Sequence, residues 1–434
     1  MKNIFIIGLE PFNLKLLQEL PGAGEYRFHD LLGYRKAVRP EGGHIDLPGL
    51  LNLAEQQLAG FSGSIDAIIG YWDFPSSVIA PILRHRHGIV APSLEAVAAC
   101  EHKIWSRIEQ RRVIPEMVPR FDAVDPFADD PFSQISVDFP FWLKPVKAHS
   151  SYLGFKIRSH ADFEEHLPVI RENIHIFAEP FDAFLELVDV PEELAGVGGS
   201  YCIAEEIISA GQQCTLEGYV QSGEVTVYGV VDSIRSGKHR SCFARYQYPS
   251  QLPRHVHTRM VEAAAGVIRQ IDYDNAPFNA EFFWDRQSDE IRILEINTRI
   301  SKSHCPLFKM VDGVSHQQVA IDLALGHRPD FPSRGGSHRL AAKFMLRVFE
   351  DGQVRRIPAA SDIAALQERF PDAMVRMLVD EGQRLAHLSF QDSYSFELAE
   401  IFLGANNQTE LLEKYETALD LLPFEIVPAP SEAA

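Results

Sequence analysis

The feature that most constrains the fold of this chain is the stretch over residues 278–304, FNAEFFWDRQSDEIRILEINTRISKSH. Two apolar runs, FNAEFFW and IRILEIN, flank a polar segment over residues 285–290. Apolar runs of this length separated by a short polar turn predict a β-hairpin. The chain must therefore contain a sheet in which these two segments are neighbouring antiparallel strands.

The hairpin carries a candidate metal site. Side chains on a strand alternate between the two faces, so Glu295 and Asn297 share one side of the second strand, and Arg299 shares it if the strand extends that far. Glu281 lies on the partner strand and can come opposite them. Two carboxylates and an amide oxygen are hard ligands that suit Mg²⁺. The alternative is an edge hairpin whose acidic side chains lie in water, as most acidic side chains do.

Length and charge limit the class of protein. A chain of 434 residues is too long for one ordinary core and predicts two to four domains. Its hydrophobic content of 46% and charged content of 23% are those of a soluble globular protein. The net charge of −19 argues against nucleic acid or an anionic membrane as the main partner. A locally basic pocket for an anionic ligand is still compatible with this charge.

The cysteines and the first residues indicate the compartment. The five cysteines form no CxxC pair and no disulfide-framework spacing, which predicts free thiols in a reducing compartment. The opening MKNIFIIGLE has too short an apolar run for a signal-peptide core. No apolar run reaches the roughly eighteen residues that a membrane-spanning helix requires. We therefore expect a cytoplasmic protein with no membrane contact.

The order of elements predicts a mixed α/β and α+β protein. Residues 1–100 alternate buried strands and helices, which predicts a parallel α/β domain. The turn after the first strand lacks the GxGxxG fingerprint, which argues against a Rossmann dehydrogenase. Residues 101–330 form a second domain, which ends at the linker-like PDFPSRGGS. Residues 331–426 read as a C-terminal α+β domain, and 427–434 as a disordered tail.

Four groups of residues along the chain suit the binding of ATP. Two separated lysines, Lys103 and Lys144, can neutralise different phosphates, because each ammonium is a compact charge on a flexible stem. The loop with Ser150 and Ser151 supplies hydroxyls and backbone N–H groups that can fold over a phosphate. An extended strand can hydrogen-bond adenine, with Glu205 as an acceptor for its amine. The acidic hairpin then binds the magnesium.

These groups, in this order, resemble the ATP-grasp superfamily over roughly residues 1–425. The matching segments are HKIWSRIEQRRVIPEMVPRF, FWLKPV with its Ser-rich loop, AEEIISAG, and AEFFWD with ILEINTRI. The last is the most specific, because E-x-N followed by an arginine two residues later is typical of these enzymes. The resemblance implies a parallel α/β domain preceding an ATP-grasp domain, in which two α+β subdomains clasp ATP.

The resemblance also implies a role for each candidate site residue. ATP and Mg²⁺, with Mn²⁺ as an alternative metal, are the implied cofactors. The implied roles are phosphate binding by Lys103, Lys144, Ser150 and Ser151, adenine binding by Glu205, Glu206 and Ile208, ribose binding by Gln213, metal binding by Glu281, Glu295 and Asn297, catalysis by Lys144 and Arg299, and substrate binding by Arg299 and His304.

The segment after the hairpin bears on which member of the superfamily this is. NTRISKSHCPLFKMVDGV resembles the corresponding segment of biotin carboxylase, where a glutamate just before the histidine acts as general base on bicarbonate. This chain has Ser303 there, and a serine hydroxyl is a poor base near neutral pH. The pattern is closer to carboxylate–amine ligases of the L-amino-acid ligase type. His304 is either a substrate contact or a structural histidine.

The sequence thus predicts an enzyme that joins a small carboxylate, such as an amino acid, to an amine. The resemblance implies that the carboxylate attacks the γ-phosphate to give an acyl-phosphate, which the amine then displaces. Two alternatives stay open, a bicarbonate-dependent carboxylase and a non-catalytic nucleotide-binding module. Related families make a homodimer one option for the assembly. The basic run over residues 235–240 is either a phosphate-binding loop or a solvated loop, and Cys305 has no assigned role.

Overall fold

The computed structural model describes residues 1–38, 43–148, 152–235, 242–388 and 395–428. Within it the chain forms two compact units. The first unit consists of Met1–Gly229, Leu252–Lys302 and Gln317–Phe331. The second unit consists of Val230–Gln251, Ser303–His316 and Pro332–Ala434. Both units are assembled from segments distant in sequence, so the linear boundaries expected near residues 100 and 330 stay predictions.

The N-terminal region has the predicted alternation of strands and helices. Its elements are β1 (Lys2–Ile7), α1 (Pro11–Gln18), β2 (Tyr26–Leu31), α2 (Tyr34–Ala37), α3 (Leu47–Ala59), β3 (Ala67–Ile69), α4 (Ser76–Arg86), α5 (Leu94–Glu101) and α6 (Lys103–Val113). The strands form a parallel sheet in the order β2-β1-β3, with Ile4 paired to both Phe28 and Ala67. All of β1 except its first residue is buried, which explains the continuous apolar run of its sequence.

The next region forms an antiparallel sheet backed by two helices. Its elements are β4 (Phe121–Val124), β5 (Phe141–Pro145), β6 (Phe155–Ile157), α7 (His160–Asn173), α8 (His175–Leu185) and β7 (Cys202–Glu206). The strands lie in the order β4-β7-β5-β6. Phe141 of β5 packs in one core cluster with Phe163 of α7 and Ala178 of α8. Ser159 caps α7 as its sequence indicates, because its side chain accepts a hydrogen bond from the Asp162 amide.

The predicted hairpin belongs to the first unit. The elements of this region are β8 (Gln212–Gln221), β9 (Glu224–Arg235), β10 (Phe243–Tyr248), α9 (Arg254–Gln270), β11 (Ala276–Asp285) and β12 (Glu290–Asn297). Strands β11 and β12 are antiparallel neighbours, and β11 also pairs with β8. Helix α9 packs against β8, with the Met260 sulfur 3.4 Å from the Cys214 thiol. The hairpin predicted from the two apolar runs is confirmed.

The remaining elements lie mostly in the second unit, with α11 in the first. They are α10 (Cys305–Asp312), α11 (Gln317–Ala324), β13 (Leu340–Val348), β14 (Gly352–Arg356), α12 (Ala360–Arg369), β15 (Met374–Met377), β16 (Phe396–Ala405), α13 (Gln408–Leu421) and β17 (Glu425–Pro428). In the second unit β10, β13, β16 and β15 are successive antiparallel neighbours. Phe344 of this sheet stacks on Tyr415 of α13 with ring centroids 3.9 Å apart. The fold class is therefore mixed α/β, as predicted.

Across the described ranges, no helix combines the length and the apolar character that a bilayer crossing demands.

Candidate nucleotide and metal site

The β11–β12 hairpin brings the predicted metal ligands together. Glu281 lies directly opposite Glu295, and Asn279 lies opposite Asn297. The side-chain nitrogen Nδ2 of Asn297 donates to Asn279 Oδ1 at 3.0 Å, which leaves Asn297 Oδ1 as the oxygen that can bind a metal. Gln213 on β8 donates to Glu281 Oε2 at 2.8 Å. The three predicted ligands therefore share one patch of the sheet, through strand alternation and antiparallel register.

The electrostatics of this patch suit a cation. Burial raises the pKa of Glu281 to about 8, and the like charge of Glu295 adds to the rise. Two facing carboxylates repel each other, and a divalent cation between them would relieve that repulsion. In the described ranges no three His, Cys, Asp or Glu side chains are grouped closely enough to hold a metal. Two carboxylates and an amide oxygen fit Mg²⁺, which is commonly held by one or two carboxylates together with phosphates.

A buried ion cluster joins Lys144 of β5 to Glu205 of β7. Glu205 on β7 accepts from Lys144 through Oε1 and from Arg107 through Oε2, with the Arg107 Nε 3.1 Å away. Arg107 and Glu205 are both almost fully buried. Burial would raise the pKa of Glu205, but the charges of Arg107 and Lys144 outweigh burial and lower that pKa to about 2. The predicted adenine contact of Glu205 stays a prediction, because this carboxylate is bonded to cations on both oxygens.

We expect Glu205 to stabilise the fold in a pH-dependent way. Its folded pKa of about 2 lies below the ordinary value of 4.5, so this stabilisation is present above pH 4.5 and is lost as pH falls towards 2. The shift corresponds to about 3 kcal/mol. The difference in urea midpoint between the wild type and Glu205→Gln should therefore shrink steadily as pH falls through this window. A difference that is constant with pH would contradict the assigned ion cluster.

Lys103 holds the start of the loop that follows β5. Its ammonium donates to the carbonyl of Ala148 at 3.0 Å and to that of Val146 at 3.5 Å. Burial, together with the charges of Lys147 and Lys144, lowers the pKa of Lys103 to about 7, while the charge of Glu295 acts in the opposite direction. Lys103 is thus within electrostatic reach of Lys144, Lys147 and the Glu295 carboxylate. Ser150 and Ser151, predicted on phosphate, lie outside the described residues.

A second buried ion pair connects this loop to the hairpin. Glu101, the last residue of α5, accepts from Lys147 and also from the Thr298 hydroxyl at 3.1 Å. Burial would raise the pKa of Glu101, but the charge of Lys147 and their hydrogen bond lower it below its ordinary value. Thr298 directly follows the predicted ligand Asn297. The Glu101 carboxylate therefore fixes Lys147 and the end of β12 relative to each other.

Arg299 lies against an aspartate of the N-terminal region. Its Nε donates to Asp73 Oδ1 at 2.8 Å, and a second guanidinium nitrogen contacts the same oxygen. Burial would lower the pKa of Arg299, but Asp73, Glu217 and Glu281 raise it above the ordinary arginine value. The side chain of Asp73 is 44% exposed, whereas that of Arg299 is 14% exposed. A carboxylate thus already contacts the guanidinium that was predicted to bind a substrate carboxylate.

An open cleft of about 450 Å³ lies at the end of β7 in the first unit. Its lining includes Glu206, Ile207, Ile208 and Phe283. Phe283 lies two residues after Glu281 on β11, so the two side chains share a face about 7 Å apart along the strand. The volume is within the range of small-molecule sites. The cleft and the carboxylate pair are therefore positioned to receive opposite ends of one elongated ligand.

The side chain of Glu206, at the edge of this cleft, forms an ion pair with Arg120. Arg120 donates to Glu206 Oε1 at 2.7 Å through Nε and to Asp138 at 2.9 Å. The Arg120 amide also donates to Glu206 Oε2 at 2.9 Å. The Glu206 amide in turn donates to the Arg120 carbonyl at 3.0 Å, so Glu206 is bonded to Arg120 through both its side chain and its backbone, and its adenine role stays a prediction.

Comparison with known proteins assigns the fold. Residues 246–330 match the family model described as the carbamoyl-phosphate synthase L chain, ATP binding domain. The L-amino acid ligase of Bacillus licheniformis has a TM-score of 0.69 at 15% identity, with 99% of each chain covered. A biotin carboxylase–βγ-ATP complex from Campylobacter jejuni has a TM-score of 0.63 at 17% identity, covering 98% of this chain and 92% of that one. The chain has the ATP-grasp fold.

One curated protein is also similar in sequence. Urea amidolyase of Saccharomyces cerevisiae is 25% identical over 170 residues. This match spans 39% of the present chain but only 9% of the yeast protein. The match therefore spans less than half of this chain and only a small part of that protein.

Two predicted residues of the ATP-grasp site have other surroundings than expected. Gln213, predicted at the ribose, is buried and donates to Glu281, one of the predicted metal ligands. His304 is buried in the second unit, where its ring meets Tyr246 edge to face with centroids 5.1 Å apart. Its substrate role stays a prediction. Arg235 lies over the Phe243 ring, and residues 236–241, which include the rest of the basic run, are outside the described ranges.

Sequence reasoning missed four charged residues of the site, each of which leaves a weak signal. Asp73 lies in the loop after β3, four residues beyond Ile69, and the carboxyl ends of strands in α/β sheets are where ligands bind. Lys147 lies three residues after Lys144 in FWLKPVK. Arg107 lies one helical turn after Lys103 on α6, on the same face. Glu101 has no local signal, because its partners are distant in sequence.

Proposed function

We propose that this chain is an ATP-dependent carboxylate–amine ligase that forms an amide bond through an acyl-phosphate. The observation that carries the proposal is the facing pair Glu281 and Glu295, with Lys103 and Arg299 within electrostatic reach. This set combines hard ligands for a cation, an ammonium for phosphates and a guanidinium for a carboxylate. A nucleotide-binding module without a reaction has no need of the last of these.

In this proposal different residues of the first unit bind the metal, the phosphates and the base. Glu281, Glu295 and Asn297 would hold Mg²⁺, which supplies charge neutralisation on the phosphates when bound. Lys103 and Lys144 would bind phosphate oxygens, and the cleft at Ile207 would accept the base. Because phosphoryl transfer needs little covalent help from the protein, these side chains act by positioning and by stabilising charge.

The proposed reaction has two steps. A substrate carboxylate, oriented by Arg299, attacks the γ-phosphate of ATP, so that an acyl-phosphate forms and ADP leaves. An amine then attacks the acyl carbon, and phosphate leaves with the C–N bond formed. Arg299 suits the first step because its planar fork can bind a carboxylate bidentately. We propose an amino acid as the carboxylate substrate.

A carboxylase reaction is less well supported. The position before His304 carries Ser303, whose hydroxyl lies 3.2 Å from the Lys343 ammonium in the second unit. A serine hydroxyl is a poor base near neutral pH, so it does not remove a proton from bicarbonate unless a neighbouring base activates it. Mn²⁺ as a substitute metal, a homodimer and a cytoplasmic location are further predictions from the sequence.

The test is phosphate release from Mg²⁺-ATP in the presence of each amino acid, singly and in pairs. We expect stoichiometric ADP and phosphate to appear only with a productive acid, and the rate to rise when the correct amine is added. Formation of AMP and pyrophosphate would contradict the acyl-phosphate route. Release that depends on bicarbonate alone would replace the ligase by a carboxylase.

A further inference from the structure

One buried guanidinium contacts most of the elements that carry the proposed ATP site. Arg107 extends from α6, the helix that begins at Lys103. Its Nε and one terminal nitrogen lie 3.1 and 3.0 Å from Glu205 Oε2 on β7. Its other terminal nitrogen donates to the carbonyl of Ile293 on β12 at 3.1 Å. No predicted role includes Arg107, yet it joins three elements of the site.

The charges around Glu205 explain why a second cation is present there. Glu205 is one carboxylate between two cations, since Lys144 contacts its other oxygen. With Lys144 alone the pair would be neutral, and a buried carboxylate would hold the ammonium strongly in competition with a phosphate. With Arg107 added, the cluster carries one net positive charge. Lys144 is the more exposed of the two cations, at 21% against 4% for Arg107, so this charge faces the site through Lys144.

We propose that Arg107 is a positioning residue that cancels the charge of Glu205, so that Lys144 stays available to an ATP phosphate. This inference rests on the proposed function, because it assumes that Lys144 binds phosphate. Arg107 itself touches no ATP atom. It acts through Glu205, whose carboxylate then holds the Lys144 stem in place without consuming its charge.

The hydrogen bond from Arg107 to the Ile293 carbonyl suggests an alternative role for Arg107, that of a purely structural link. Ile293 lies two residues before Glu295 on β12, so Arg107 could serve only as a tether for the metal strand. A charge role and a tether role differ in what replaces Arg107. A lysine keeps the charge but lacks the fork that reaches Glu205 and Ile293 together. Removing both Arg107 and the Glu205 carboxylate eliminates the charge problem but also eliminates the tether.

The experiment compares three variants by calorimetric titration of Mg²⁺-ATP and by KM and kcat for ATP. With Arg107→Met we expect ATP affinity to fall by about tenfold or more, because a charge-assisted phosphate contact is lost. With Arg107→Lys we expect affinity within about threefold of the wild type. The double variant Arg107→Met/Glu205→Gln should bind ATP within about threefold of Glu205→Gln alone, a comparison in which any adenine contact of Glu205 is absent from both proteins. The loss should appear in KM more than in kcat.

Arg111→Met is the matched control, since Arg111 lies one turn further on α6 and packs on the Phe121 ring at 4.9 Å. It should bind ATP as the wild type does. Circular dichroism and thermal melting establish that each variant is folded. The double variant leaves neither partner of the buried pair alone, so it also serves if Arg107→Met by itself does not fold.

Two results would overturn the inference. Wild-type affinity for ATP in folded Arg107→Met would show that Lys144 binds phosphate without the charge of Arg107. Weakening by the same factor in all three Arg107 variants, with the double variant measured against Glu205→Gln, would show that the guanidinium is only a tether. If the wild type itself binds no Mg²⁺-ATP, the proposed function fails first and this inference fails with it, which is a distinguishable outcome.

Discussion

Glu295→Gln is expected to abolish Mg²⁺-ATP-dependent phosphate release while the protein stays folded. The substitution removes one of the two facing carboxylates and keeps the shape of the side chain. Loss of a metal ligand weakens the neutralisation of phosphate charge, so we expect turnover to fall by at least about 10²-fold to 10³-fold. Initial-rate assays with saturating acid and amine measure this directly.

The stability of Glu295→Gln in the absence of Mg²⁺ is expected to be at least that of the wild type. Burial and the charge of Glu295 hold the pKa of Glu281 near 8, so the pair is strained when both are ionised. Removing the Glu295 charge lowers the pKa of Glu281 and relieves that repulsion. The melting temperature in Mg²⁺-free buffer should therefore be unchanged or raised. Full turnover in Glu295→Gln would mean that the metal site lies elsewhere.

A matched control comes from the neighbouring helix. Glu262 is exposed on α9 and lies outside the cleft and the ion clusters. Glu262→Gln makes the same chemical change without altering the proposed metal site. We expect wild-type turnover and a wild-type response of the melting temperature to Mg²⁺.

Arg299→Met is expected to separate acid binding from ATP binding. The dissociation constant for Mg²⁺-ATP should stay within about threefold of the wild type, whereas acid-dependent phosphate release should fall by at least about 10²-fold. The reason is that a bidentate guanidinium–carboxylate contact both binds the acid and orients it for attack. Asp73, the present partner of Arg299, is 44% exposed, so water can solvate it after the substitution.

Arg299→Lys and Asp73→Asn sharpen this prediction. Lysine keeps the charge but loses the planar fork, so its activity should lie between those of the wild type and Arg299→Met. Asp73→Asn weakens the contact that holds the guanidinium, and we expect a smaller loss than in either Arg299 variant. An Arg299→Met enzyme that loses ATP binding but keeps the wild-type KM for the acid would contradict the assigned role.

The hairpin could be predicted because its signals are local. Two apolar runs and a polar turn indicate the strands, and the two-residue period places Glu295 and Asn297 on one face. The pairing of Glu281 with Glu295 follows once the turn is fixed. Strand β2, YRFHDL, was missed for the opposite reason. It lies at the edge of its sheet, with only Leu31 buried, so it lacks a continuous apolar run.

The ion clusters could not be predicted, because their partners are remote in sequence. Arg107 and Glu205 are 98 residues apart, and Asp73 and Arg299 are 226 residues apart. Strand alternation indicates which face of β7 carries Glu205 but not which cation meets it there. The adenine role of Glu205 was inferred from its position in the motif order. Its bonds to two cations depend on tertiary packing that no local pattern encodes.

Calorimetric titration of ATP tests whether the β11–β12 hairpin is the magnesium end of an ATP site, as we propose. We expect saturable binding of one ATP per chain when Mg²⁺ is present. Excess EDTA and Glu295→Gln should each weaken this binding strongly. Binding of ATP that is equally strong with and without Mg²⁺, or no binding by the folded wild-type chain, would contradict the proposal.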